Sequence, residues 1–122
     1  MKDFRQLEVW VKSHQLALSI YKDTQTFPDT EKFGLTNQIR RACFSIPTNI
    51  AEGCGRNVDG DFARFLEIAM GSASETDYLI LLSHDLGFMK EGVYKLDSAA
   101  ITSINQMLYS LINKVKPSRR PS

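Results

Sequence analysis

Apolar residues recur at the spacing of one helical face in four separate stretches of the chain. Leu7, Trp10, His14, Ala17, Leu18 and Tyr21 fall at i, i+3, i+4 positions and predict a first helix from about Leu7 to Thr26. Val9, Leu16 and Ile20 widen that stripe, so the helix is expected to be covered on two sides. Phe27-Pro28-Asp29 ends it, because the residue before a proline is pushed out of helical angles. A second helix is predicted from about Leu35 to Glu52, and a third from Asp59 or Asp61, whose charges suit a helix N-terminus, to about Leu86. Phe62, Phe65, Leu66, Ala69, Ala73 and Ile80 mark the buried face of the third. The fourth runs from Glu91 or Val93 to Val115, with Ile101, Ile104, Leu108, Leu111 and Val115 alternating by three and four as in a coiled-coil seam.

Helix breakers inside this pattern carry further expectations. Pro47 lies within the second stripe, where a missing donor and ring crowding cost about 3 kcal/mol, and a kinked helix is the expected compromise. Gly53-Cys54-Gly55 is read as a turn using left-handed glycine angles. Gly71, in the middle of the third helix, costs about 1 kcal/mol and is expected to admit a neighbouring backbone. No strand-like alternation competes. The fold class is therefore all-α, an antiparallel up-down-up-down four-helix bundle over residues 1–116, followed by a disordered basic tail over residues 117–122.

Composition adds bounds. A chain of 122 residues with 43% apolar and 24% charged residues suits one ordinary globular domain. No stretch of about 18 apolar residues spans a bilayer, and acids interrupt the N-terminus, so a cytoplasmic protein without membrane contact is expected. Cys43 and Cys54 lack the number and spacing of a disulfide framework or zinc site and read as packing residues. His14 and His84 read as core or interface residues. The net charge of +1 is unevenly spread: residues 65–113 carry two bases against six acids, whereas Lys114, Lys116, Arg119 and Arg120 close the chain without an acid.

Signatures of catalysis are missing. There is no phosphate-cradling loop, no nucleophile elbow, no Glu-x-x-His pair for a di-iron site and no arginine at the ribonuclease spacing before either histidine. No enzymatic activity, metal or cofactor is expected. Gln38, Arg41, Ser45, Asn49 and Glu52 form a polar stripe on the second helix. Either they bond one another, Arg64, Glu75 or a neighbouring subunit, or Arg40, Arg41, Arg56 and Arg64 line a surface that grips phosphates through guanidinium forks. Lys116, Arg119 and Arg120 are further candidate nucleic-acid contacts.

The run from Phe33 to Arg56, together with Phe4 to Trp10, Phe27-Pro28, Asp61 to Leu66, Gly71 to Glu75 and Leu86-Gly87, resembles the bacterial four helix bundle protein family, also called the ribosomal RNA intervening-sequence protein family. The resemblance implies a ring-shaped homopentamer. Exposed residues such as Val9, Phe44 and Tyr109 are compatible with that interface. It also implies likeness to the accessory protein of diversity-generating retroelements, which binds its reverse transcriptase and nucleic acid. The expected function is a non-enzymatic binding or scaffold module contacting structured RNA or DNA, or a nucleic-acid enzyme. The alternative is a structural oligomer that binds a protein partner without nucleic-acid affinity. Val58, Asp59 and Gly60 depart from the family pattern, which is richer there in lysine and serine.

Overall fold

A computed structural model describes residues 2–116. Its four helices are α1 (Glu8–Asp23), α2 (Leu35–Cys54), α3 (Asp59–Asp85) and α4 (Glu91–Val115). Each helix packs on its neighbour in sequence, and α4 packs back on α1, as in an up-down bundle. Ile20, Ile39, Ile46, Ile50, Leu66, Ile80, Ile101, Ile104 and Leu108 are fully enclosed between the helices. In α2, α3 and α4 these are positions the periodicity marks as the inner face, but in α1 the buried face is Val9, Leu16, Ala17 and Ile20, while His14, Leu18 and Tyr21 of the expected stripe are exposed. The proposed tail, Arg119 and Arg120 included, lies outside the described residues.

Local chemistry moves several boundaries. The first helix stops at Asp23 rather than Thr26, because the Thr24 hydroxyl donates to the Ile20 carbonyl at 2.7 Å and the chain tightens into a 3-10 turn over Thr24–Thr26 before Pro28. Helix α2 runs unbroken through the buried Pro47. Pro47 takes the ladder donor from the Cys43 carbonyl, and just beyond it the Thr48 hydroxyl donates to Phe44 O and the Asn49 amide to Ser45 O, adding side-chain bonds to the two carbonyls that follow. Helix α3 ends in a reciprocal cap at Gly87, φ 82°, with Gly87 N donating to His84 O and Phe88 N to Ser83 O, both at 2.9 Å.

Three glycines behave differently from their sequence reading. Gly55 caps α2 with ordinary right-handed angles, and Gly87 is the one glycine with positive φ among the described residues. Gly53 is required for space: a Cβ there meets Phe65 Cβ at 2.9 Å and Phe62 Cδ1 at 3.0 Å, where α2 crosses the start of α3. At Gly71 nothing lies within 4 Å of an added Cβ, so no neighbouring backbone of this chain offsets its helical cost. Val9 is also not left over for an interface, since it is buried, whereas Phe44 and Tyr109 are exposed.

These contacts set opposite outcomes for the same substitution. Gly53→Ala lowers folding stability by about 1–3 kcal/mol through overpacking between aromatic rings, while Gly71→Ala raises it by up to about 1 kcal/mol through helix propensity. Urea unfolding midpoints of the two variants measure both, and a neutral Gly53→Ala rules out the close approach as a constraint.

Candidate phosphate-binding surface

The alternating directions of the helices gather the start of α1, the end of α2, the start of α3 and the end of α4 at one end of the bundle. Lys2 is tied there by its backbone N–H to the Cys54 carbonyl at 3.1 Å, and its ammonium lies 4.8 Å from the Phe62 ring centre. The Arg56 and Arg64 guanidinia lie 4.8 Å and 5.6 Å from the centre of the Phe65 ring. Both arginines are exposed, and among the described residues neither has a carboxylate within salt-bridge distance. Phe62 and Phe65 are themselves buried, so the rings are a floor that holds the cations outward. Lys116 reaches the same end, but its ammonium is paired with Glu67 at 3.0 Å.

Arg40 and Arg41 belong elsewhere. They sit about 15 residues before Arg56, which lies in the turn just past the end of α2, and at 1.5 Å per helical residue that is roughly 20 Å away. Arg40 turns toward α1, where Nε donates to Thr24 Oγ1 at 2.8 Å, an NH2 group donates to Tyr21 O at 3.1 Å, and the guanidinium stacks 4.2 Å from the Tyr21 ring. Its donors tie the end of α1 to α2. Arg41, the next residue, points into the groove between α2 and α3 and has no hydrogen-bond or ion-pair partner among the described residues.

The polar stripe of α2 resolves into pairs across this groove. Gln38 donates to Glu75 at 3.5 Å, the Ser72 hydroxyl donates to the Ser45 hydroxyl at 2.8 Å, and Asn49 donates to the same Ser45 oxygen at 2.9 Å. The expected bonds to Arg64 do not form, because Arg64 lies two turns from Ser72 toward the other end of α3.

The histidines are not core residues. His14 is exposed and stacked on Trp10 with ring centres 4.8 Å apart. His84 is half-buried, stacked on Tyr94 at 4.1 Å, with Nε2 2.6 Å from Glu91 and Nδ1 3.4 Å from Asp85. Both cysteines are buried, and burial raises each thiol pKa, that of Cys43 to about 12 with a further push from the Asp97 charge. Neither is a thiolate at neutral pH, in keeping with the packing role.

One buried acid escapes the sequence reading. Asp97 of α4 is 4% exposed and faces Asp23, the last residue of α1. Burial first, then a side-chain hydrogen bond with Asp23 and the Asp23 charge, push its pKa up to about 8. The pair therefore holds a proton at neutral pH, and Asp97 Oδ2 is enclosed without a partner. An aspartate amid alternating apolar positions is visible in the sequence, but only the contact with Asp23 makes it exceptional.

A family model described as 23S rRNA-intervening sequence protein matches residues 5–110. The chain belongs to this family. A crystal structure of a protein of unknown function from the S23 ribosomal protein family of Bacteroides thetaiotaomicron is similar, with a TM-score of 0.77 and 31% identity over 85% of this chain and 97% of that one. Comparison with curated proteins finds no match. The match to the family takes in the groove and both exposed arginines of the basic end.

The acid pair gives a pH dependence of definite sign. In the folded chain Asp97 keeps a proton up to about pH 8, whereas the ordinary pKa is 3.8, so the unfolded chain releases it earlier. Its contribution to stability is fullest below the ordinary value and is lost as pH rises through the folded one, at no more than about 1.4 kcal/mol per pH unit. Asp97→Asn keeps a donor toward Asp23 and removes the titration. Urea midpoints taken from pH about 5 to about 8 should fall for the parent chain and stay flatter for the variant; parallel curves would show that Asp97 is ionised throughout.

Proposed function

We propose that this protein is a non-enzymatic binding or scaffold module whose basic end contacts the phosphates of structured RNA or DNA. The observation that carries this reading is the pair of exposed, carboxylate-free guanidinia of Arg56 and Arg64, held over Phe65 beside Lys2. Guanidinium forks match paired phosphate oxygens, and clustering three cations raises the local potential although the whole chain carries only +1. The family's name, which refers to intervening sequences of 23S rRNA, is in line with an RNA setting. Assembly as a cytoplasmic ring-shaped homopentamer completes the proposal. It is supported by exposed apolar residues on two different faces, Leu18, Tyr21 and Phe44 on one and, on α3, Tyr78 with Leu81 one turn further on. Unlike patches on one subunit suit the head-to-tail contacts that close rings.

The α3 residues also favour a second reading, in which an oligomer offers this apolar face to a protein partner, such as a nucleic-acid enzyme, and has no affinity for nucleic acid. Salt separates the two readings, because phosphate contacts release counterions and apolar contacts do not.

Fluorescence anisotropy with labelled RNA and DNA hairpins at several salt concentrations is the test, with native mass spectrometry reporting assembly in the same samples. Arg56→Gln with Arg64→Gln should weaken binding to every sequence and reduce the salt slope by about two. Arg40→Ala should instead lower folding stability by about 1–2 kcal/mol, through the lost bonds to Thr24 and Tyr21, and leave the salt slope unchanged. Salt-independent binding, or none, refutes the phosphate reading.

A further inference from the structure

The groove between α2 and α3 has a volume of about 500 Å³ and is lined by Phe33, Asn37, Gln38, Arg41, Ser45, Ser72 and Glu75 among others. That volume is within the range of small-molecule sites. Its residues divide by chemistry. At one side stands Phe33, 88% exposed on the loop just before α2, where its ring contributes nothing to the core and has the Lys32 ammonium 5.7 Å from its centre. On the wall, Arg41 offers a guanidinium without a partner, beside the Ser45 and Ser72 hydroxyls. One turn before Arg41 on the same face of α2, the Gln38 amide donates to the Glu75 carboxylate of α3 at 3.5 Å, and the remaining Gln38 N–H and Glu75 oxygen present a donor and an acceptor side by side.

A purely anionic ligand does not account for Glu75, and an apolar helix does not suit walls of serine, asparagine, glutamine and charge. One chemistry matches all three parts. An unpaired nucleotide has a flat ring to stack, a phosphate for a guanidinium and hydroxyl, and base-edge groups that donate to a carboxylate and accept from an amide. We propose that this groove holds one unpaired nucleotide of a nucleic-acid strand, its base stacked on Phe33, its phosphate on Arg41 and its edge read by Gln38 and Glu75. The inference rests on the nucleic-acid reading above and adds the class of substrate, single-stranded or bulged rather than fully paired. Base edges in a duplex are paired, and their faces are stacked on one another. The basic end takes phosphates from either form, whereas this groove takes only a nucleotide free of its partner.

Phe33→Ala is the decisive variant, because the side chain is outside the core and its loss leaves the fold intact. Anisotropy is measured with a labelled RNA of roughly 12 nucleotides, single-stranded and annealed to its complement. The expected result is a loss of about tenfold or more for the single strand in Phe33→Ala, with little change for the duplex. Arg41→Gln should weaken the single strand and reduce its salt slope by about one. Glu75→Gln should change the order of affinity among homopolymeric strands. Equal losses for strand and duplex, or none in Phe33→Ala, overturn the groove proposal while binding lost in the Arg56 and Arg64 variant still upholds the basic end. Absence of binding to either form by the parent chain overturns both. Loss of the oligomer in Phe33→Ala or Arg41→Gln, seen by native mass spectrometry, overturns the groove as a nucleotide site and makes it a contact between subunits.

Discussion

Where Gly53 of α2 lies against Phe62 and Phe65 of α3, there is no room for a methyl group, and this close approach fixes how the two helices meet. Phe62 and Phe65 can then be both core and platform. Their inner surfaces fill the bundle, and their outer edges meet Lys2, Arg56 and Arg64. A larger residue at position 53 would move the rings and, with them, the cations that rest on them. Packing and charge placement are thus one constraint at this end of the molecule. The short turn after Cys54 follows from it, because α3 must begin almost where α2 ends.

The opposite end is held by polar contacts. Arg40 bonds to Thr24 and Tyr21 and stacks on Tyr21, so the end of α1 is tied to α2 by charge-assisted donors. Asp23, one residue before Thr24, meets Asp97 of α4. Shifting α4 by one turn, about 5.4 Å, would leave Asp97 enclosed among apolar side chains with no carboxylate to share its proton. The pair therefore opposes alternative registers even though a well-packed apolar pair would serve stability as well. Arg40 and the acid pair act on the same turn of α1, which links three helices there.

The periodicity of apolar residues was enough to locate all four helices, because a bundle buries one stripe per helix and little else competes. Departures arise where a side chain does something periodicity does not encode. Thr24 bends back to Ile20 and shortens α1; Gly53 is small for the sake of another helix; Val9 extends a stripe into the core. The candidate site was less legible. Arg40 and Arg41 are adjacent in sequence, yet a step of one residue turns a helix by about 100 degrees and sends them to different neighbours. Arg56 and Arg64, eight residues apart, are brought to one ring by a turn between helices. Asp97 looks like any helical aspartate until its partner, 74 positions earlier, is placed beside it.

Distance limits how the two cationic features can work together. Arg41 and the Arg56 and Arg64 pair are roughly 20 Å apart along α2, about two Debye lengths at 0.1 M salt, so neither alters the potential at the other by much. Occupying one with a phosphate leaves the affinity of the other for a separate ion nearly unchanged. A continuous strand couples them differently, because binding at one feature raises the effective concentration of the rest of the strand at the other. At the stacked spacing of about 3.4 Å per nucleotide some six nucleotides span the gap, and an extended unpaired strand spans it with fewer. A strand too short to span it reaches one feature only, whereas a longer one with an unpaired segment reaches both. On the proposed nucleic-acid reading, length and pairing of the polymer, more than the net charge of +1, would then set affinity.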